Sequence, residues 1–488
     1  MRAHLIQRRV IEMDIKRKAR VGLLFISAER FMELGEGTVN GTYFERKLIE
    51  CKNYTEALSS VAEIYPSDMV CTKERAEWWA DEFYRLDVDC VVAIFLSWAE
   101  DTAWITFLRK LFTIPLMLAS VVRDSLSITD TNDEDQFIDF LSAGALVGFL
   151  EASGSVRRFN RKMMTLEIDT LERLTPKILR FATASKAMTM LKKSKVSLLA
   201  CYNRAMWSTY VDPYNVFQKI GPELEFLSVA ELCREIELIP ECDVEAAVVE
   251  LEKTYRVMEN VDREKFKASV RATMAMEKLA LSVGTDLLVL NDIDRVLFEF
   301  VGLRPGFTPT RPDLDLISVP EGDIGGGLAV YFLSLLTGRI ANFIEPFYID
   351  EVNGGFVAGH AGPNNYTEKP ENMIIARDER FAKSKWKYAG APFAWYVFPE
   401  GEKTMLHVSE ENGKLKLVAS LVQCLPTKHY LASYSHANFK HKRLTPAELF
   451  KRIAECGVNQ HFGIVSGNAL EEIKVFSELM DFDLYIIE

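Results

Sequence analysis

Long hydrophobic runs are missing from this chain. No stretch of about 18 apolar residues free of charge occurs, so no membrane span is predicted. Cysteines at C-x-x-C spacing are missing too. The eight cysteines, at 51, 71, 90, 201, 233, 242, 424 and 456, are scattered, and several lie in apolar runs. That usage fits buried, reduced thiols rather than a disulfide or zinc framework. Positive charge is in deficit: 58 Lys and Arg stand against 70 Asp and Glu, for a net charge of -12. A sequence-independent nucleic-acid binder or an anionic-lipid binder needs a basic surface, so neither nucleic acid nor membrane is expected as a partner. There is no internal repeat and no low-complexity tract. The basic N-terminal stretch lacks the apolar core of a secretory signal, and Glu12 and Asp14 argue against a mitochondrial-type leader, which predicts a cytoplasmic protein.

What is present is an ordinary globular composition, 48% hydrophobic and 26% charged. At 488 residues the chain exceeds one hydrophobic core, so two or three domains are expected. Short apolar runs at Val21–Ile26, Val88–Leu96, Ile114–Leu118 and Ala145–Phe149 alternate with amphipathic stretches. Runs of that kind suit a parallel sheet covered on both faces, whose functional loops follow the strand ends. A second such unit opens, after a helical stretch from Leu171 to Lys193, with the run Lys195–Cys201 and the polar loop Tyr202-Asn-Arg-Ala-Met-Trp207. A charged helical region covers about 244–282, its apolar positions Val248, Leu251, Tyr255 and Val257 at helical spacing. The third section is entered through the Pro-rich segment 304–312 and holds six of the seven histidines. The reading is therefore α/β: two N-terminal doubly wound parallel-sheet domains, 1–168 and 169–312, followed by a C-terminal α/β–β domain, 313–488.

The chemically informative segment lies in that last domain. Leu314–Val319 suits a strand, Ile324–Thr337 a buried helix closed by Gly338, and Ile340–Ile344 a second strand. Strand, helix and strand form one crossover, so Glu321 and Glu345 are expected to follow equivalent ends of neighbouring parallel strands. Two carboxylates at one edge call for a cation or a proton between them. The ordinary alternative is that each pairs with a surface base such as Arg339. Asp323 lies beside them, and the three glycines 325–327 fit neither a P-loop nor a dinucleotide fingerprint. The turn Asn353-Gly-Gly355 signals a hairpin that returns His360 towards Glu345. His461 precedes a short strand near the chain's end, where Asn468 and Glu471 form a helix-start pattern.

These residues resemble a family. EGD followed by an apolar helix, T-G, a carboxylate and then a strand ending in G-H is similar to the C-terminal region of the L-fucose and L-arabinose isomerases. So is the terminal run H-F-G-I-V-S-G-N-A-L-E-E-I-K. The segment VSLLACYNRAMW also looks like the arabinose-type counterpart. The likeness is specific over roughly 317–365 and 455–480. It implies metal ligands at Glu321, Glu345 and His461, with His360 matching the additional arabinose-type histidine as a ligand or substrate contact. The 24-residue spacing between the two glutamates resembles the fucose branch, whereas the Glu/Glu/His/His set resembles the arabinose branch. Ala-Gly-Pro-Asn-Asn follows His360 where many relatives carry Cys-Gly, so the chain reads as a divergent member.

Two carboxylates and one or two imidazoles suit Mn²⁺ or another divalent metal. The expectation is an aldose–ketose isomerase acting on a pentose or deoxyhexose through a cis-enediol, with Glu321 and Glu345 as the proton-transferring pair. The alternatives are a non-catalytic sugar-binding or sensory homologue, or a metal-dependent sugar dehydratase or hydrolase. The resemblance further implies a homo-oligomer, trimer or hexamer, in which the Trp98 loop reaches a neighbour's substrate. Asp323 and His360 are the other expected substrate contacts. Lys428, His429 and Asn438 are further polar candidates that nothing in the sequence places.

Overall fold

The computed structural model describes residues 14–123, 125–301, 316–362, 366–380, 382–385 and 389–488. Residues 1–13 of the N-terminal basic stretch, the Pro-rich segment 304–312, the expected 312/313 boundary and residues 363–365 lie outside the described residues. The chain forms two compact units. One comprises 17–189 with 471–481; the other comprises 190–470 with 482–488 and residues 14–16.

In the first unit, β1 (Arg20–Ile26), β2 (Glu63–Val70), β3 (Cys90–Phe95), β4 (Leu116–Val121) and β5 (Met164–Asp169) make a parallel sheet in the order β2-β1-β3-β4-β5. Its central strands β1, β3 and β4 are almost wholly buried, which is why they stand out as continuous apolar runs. The edge strands β2 and β5 mix polar with apolar residues and carry no such signal. Ala145–Phe149, expected as a strand, opens the helix Ala145–Arg158. A five-residue apolar run does not by itself separate strand from buried helix. The helices Glu134–Ser142 and Ala145–Arg158, taken together as one span, are long and apolar enough to cross a membrane by length and composition, with little of that span buried. It contains Asp139 and Glu151, so it is not a charge-free run. Trp98 follows β3 in this unit, its ring 6.1 Å from Phe31 and 4.8 Å from the Arg30 guanidinium.

In the second unit, β6 (Lys195–Leu199), β7 (Glu223–Leu227), β9 (Leu287–Leu290) and β10 (Ile317–Val319) form a parallel sheet in the order β10-β9-β6-β7, while β8 (Arg256–Val257) lies elsewhere. The chain then builds β11 (Asn342–Asp350) and β12 (Gly355–His360), followed by β13 (Met373–Arg377) and β14 (Pro392–Tyr396), which pair with β8 in a small sheet. Finally come β15 (Gly401–Glu411), β16 (Lys414–Cys424), β17 (Ser435–His441), β18 (Phe462–Ser466) and β19 (Asp483–Ile487). Their order with β11 and β12 is β15-β18-β11-β12-β17-β16-β19, and β15 also pairs with β16. This largely antiparallel sheet thus closes on itself in a barrel-like ring.

Three expectations are corrected here. β10 and β11 do not lie side by side: β10 pairs with β9 in the parallel sheet, and β11 pairs antiparallel with β12 and β18. The second and third expected domains are one compact unit, because β10 completes the sheet begun by β6. The charged region expected as one helix is two, Glu241–Thr254 and Arg263–Ser282, interrupted by β8.

The helix Ile324–Thr337 joins the two sheets, packing on β9 and β10 on one side and on β15, β18 and β11 on the other. Every residue from Ile324 to Leu336 is buried, as a helix covered on both faces requires. It begins at Asp323, whose Oδ1 accepts from Gly326 N at 2.9 Å, and ends at Gly338 in the left-handed conformation. The glycines 325–327 are a packing device. A Cβ on Gly325 would lie 2.7 Å from the Val408 carbonyl oxygen, and one on Gly326 2.5 Å from the Phe343 ring. Gly→Ala within a helix ordinarily gains up to about 1 kcal/mol. At Gly325 the opposing atom is strand backbone, so the overpacking cost, about 1–3 kcal/mol, decides the sign. Gly325→Ala is therefore expected to lower the urea midpoint at unchanged m-value; a raised midpoint would contradict this packing.

Candidate metal centre

Three side chains from separate elements converge in the second unit. Glu321 follows β10, His360 ends β12, and His461 immediately precedes β18. One ligand atom from each lies within 4.8 Å of the others, so this largely buried Glu/His/His group can hold a metal ion. Glu321 faces both rings: Oε1 is 3.7 Å from His360 Nε2 and Oε2 is 3.3 Å from His461 Nε2. Phe343 of β11 spaces the imidazoles, its ring 5.0 Å from that of His360 and 4.6 Å from that of His461.

The rings are held so that each turns its Nε2 towards Glu321. His360 Nδ1 donates to the Ala361 carbonyl at 2.7 Å, and His461 Nδ1 donates to Asp323 Oδ2 at 2.8 Å. Each Nε2 is left buried and without a hydrogen-bond partner. A second-ring-nitrogen bond to a carbonyl or carboxylate is the usual support of a metal-ligating histidine, and orphaned imidazole nitrogens aimed at a carboxylate fit a cation. His407, buried in β15, adds a further brace: its Nδ1 donates to the His461 carbonyl at 2.8 Å.

Glu345 lies within β11, opposite Gly359 of β12, rather than beyond a strand end. The hairpin signalled by Asn353-Gly-Gly355 does bring His360 back to it: Oε1 is 4.0 Å from His360 Nε2. Glu345 stands outside the tight three-residue group, beside it. Burial, reinforced by the neighbouring Glu321 carboxylate, raises its pKa above the ordinary carboxylate value.

Asp323, expected as a substrate contact, is fully buried, with one oxygen on the helix start and the other on His461. It supports the site from behind. Trp98 belongs to the other compact unit, among the contacts given above. His429 is bound to the Asn372 carbonyl and Asn438 to the Tyr430 hydroxyl, neither in the converging group. Sequence reading did not single out Asp292, His407 or Phe343 and gave no role to Asn203. The available signal was position alone, since Asn203 and Asp292 both follow buried parallel strands.

Comparison with models of known protein families and with curated proteins finds no match for this chain. What fold and site define is a mixed α/β protein with a buried Glu/His/His group able to hold a metal ion.

The two imidazoles titrate in opposite directions. Burial pulls His360 down to about 4, so it is neutral at pH 7. Burial also disfavours charged His461, but its hydrogen bond to Asp323 and the facing Glu321 carboxylate outweigh that and lift it to about 9. A protonated His461 stabilises the metal-free fold; this contribution is complete below pH 6.5 and is lost as pH rises through about 9. A cation at Nε2 displaces that proton. Calorimetric titration with Mn²⁺ at pH 7.5 in buffers of differing ionisation enthalpy should show release of about one proton per ion. His461→Gln should abolish the release. Proton-neutral binding by the parent protein would refute the assignment of that proton.

Proposed function

We propose that this chain is a metal-dependent aldose–ketose isomerase acting on a pentose or deoxyhexose. One observation carries the reading: a carboxyl group with a raised pKa, Glu345, stands beside a buried Glu/His/His group suited to a cation. Glu321, His360 and His461 would hold the ion, and their mixed oxygen and nitrogen donors suit Mn²⁺ or a similar divalent metal. When bound, the ion would supply Lewis-acid polarisation of the sugar carbonyl and its neighbouring hydroxyl.

The protein's own part is proton transfer on carbon. Isomerisation moves one proton from C2 to C1 and one from O2 to O1 through a cis-enediol, and a single carboxyl with a raised pKa can take the carbon-bound proton and return it. Glu345 has that character, because burial and the nearby Glu321 charge both favour its neutral form. Glu321 faces both imidazoles and serves as ligand, while its charge sets the protonation of Glu345. His360, neutral and fixed by Ala361, can ligate without competing for that proton. The resemblance to L-fucose and L-arabinose isomerases supports the same reading. It would place the protein in the cytoplasm as a homo-oligomer with a sugar as its small-molecule partner.

Assay of a panel of pentoses and deoxyhexoses with added Mn²⁺ should show aldose and ketose interconverting without change of mass. Glu345→Gln should lower turnover by about 10²–10⁴-fold while still binding Mn²⁺, whereas Glu321→Gln should lose the ion. A protein that binds Mn²⁺, melts higher with a sugar and converts none of them is a sensor. A product lighter by water is the mark of a dehydratase. Either result would displace the isomerase reading.

A further inference from the structure

Glu321 occupies a backbone conformation that side chains other than glycine rarely adopt. Its φ is +64°, and Gly322 follows at +69°. A left-handed residue with a long side chain persists only where the surroundings over-determine it. Here both polar groups of the turn around Glu321 are held by side chains from neighbouring strand ends. Asp292, after β9, accepts from Glu321 N–H through Oδ1 at 2.9 Å. Asn203, after β6, donates from Nδ2 to the Glu321 carbonyl at 2.9 Å. Gly322 N–H in turn donates to the Leu290 carbonyl at 3.1 Å, at the end of β9.

The two clamping side chains are themselves fixed. Asn203 is buried, and its Oδ1 accepts from Ala205 N–H at 2.9 Å, which settles which end of the amide faces Glu321. The Tyr210 hydroxyl donates to the Asn203 carbonyl at 2.8 Å. Asp292 is also buried, on the chain segment where Asn291 N–H donates to the Leu199 carbonyl of β6. Neither Asn203 nor Asp292 belongs to the group of converging ligand atoms.

We infer that Asn203 and Asp292 are positioning residues that hold the Glu321 peptide left-handed, so that its carboxylate meets both histidine Nε2 atoms. Without the clamp, the turn can relax to an ordinary right-handed or extended backbone, which swings the Cα–Cβ bond away from the imidazoles. The consequence falls on metal affinity and coordination geometry. This rests on Glu321 being a metal ligand and is independent of the reaction catalysed.

The test is titration of the full chain with Co²⁺, read by its visible d–d bands, for the parent protein and for Asn203→Ala, Asp292→Ala and Asp292→Asn. Asn203→Ala and Asp292→Ala are expected to bind Co²⁺ about 10–100-fold more weakly, the usual effect of losing a support behind a ligand, with shifted bands. Asp292→Asn keeps an acceptor oxygen and should stay within about threefold of the parent. Metal-free thermal melts show which variants fold. If Asp292→Ala does not, Asn203→Ala and Asp292→Asn decide the matter. Parent-like affinity and bands in Asn203→Ala would overturn the clamp. Equal losses in Asp292→Asn and Asp292→Ala would overturn it for Asp292, whose charge would then be what matters. A parent protein that binds no Co²⁺ would remove the metal reading itself, a result distinct from failure of the clamp alone.

Discussion

Asp323 is a carboxylate with no exposure to water, and burying such a group is costly unless both oxygens find donors. One oxygen caps the helix Ile324–Thr337 and the other fixes the His461 imidazole. The start of the buried helix and the orientation of the His461 ring are thereby set by one side chain. Because that helix packs against both sheets of its unit, the geometry of the candidate metal centre is tied to the packing of the core. A shift of the helix along its axis would carry Asp323 with it and turn the His461 ring.

The same packing explains why the segment after Asp323 is so rich in glycine. The helix has strands on two sides, and its first turn meets the Val408 backbone and the Phe343 ring where side chains would stand. Phe343 also spaces the two histidines, so the close approach that glycine permits places the aromatic wedge of the site. On the opposite face of the contact, Gly463 of β18 pairs with Phe343, and a Cβ there would lie 2.9 Å from the Val330 nitrogen. The glycines 325–327, which match no phosphate-binding fingerprint, thus serve to bring a helix and a strand together.

Features set by local rules were legible in the sequence. The helix Ile324–Thr337 with its Gly338 end, the hairpin that returns His360 to Glu345, and the place of His461 before a short strand all follow from periodicity, capping and turn chemistry. Features set by pairing between distant segments were not. A strand–helix–strand pattern carries no statement of which sheet each strand joins, and here the first strand enters a parallel sheet and the second a barrel-like one. The two glutamates approach one another nonetheless, because the helix between those strands is itself the contact between the sheets. Asn203 and Asp292 were illegible for a similar reason: each acts on a residue that is remote in sequence and adjacent only across strand ends.

The division of labour within the site follows from which sheet supplies which group. His360, His461 and Glu345 stand on or beside strands of the barrel-like sheet, where ladder hydrogen bonds fix the backbone on both sides. Glu321 comes from a loop beyond the parallel sheet, where open edges of strands meet and side chains must do the fixing. Parallel sheets place adaptable loops at the carboxyl ends of their strands, which is where ligand-binding groups usually lie. A rigid pair of imidazoles facing one carboxylate on a braced turn could give a cation a defined seat. The second carboxylate, Glu345, is held by strand pairing beside that group, where burial and the Glu321 charge favour its protonated form.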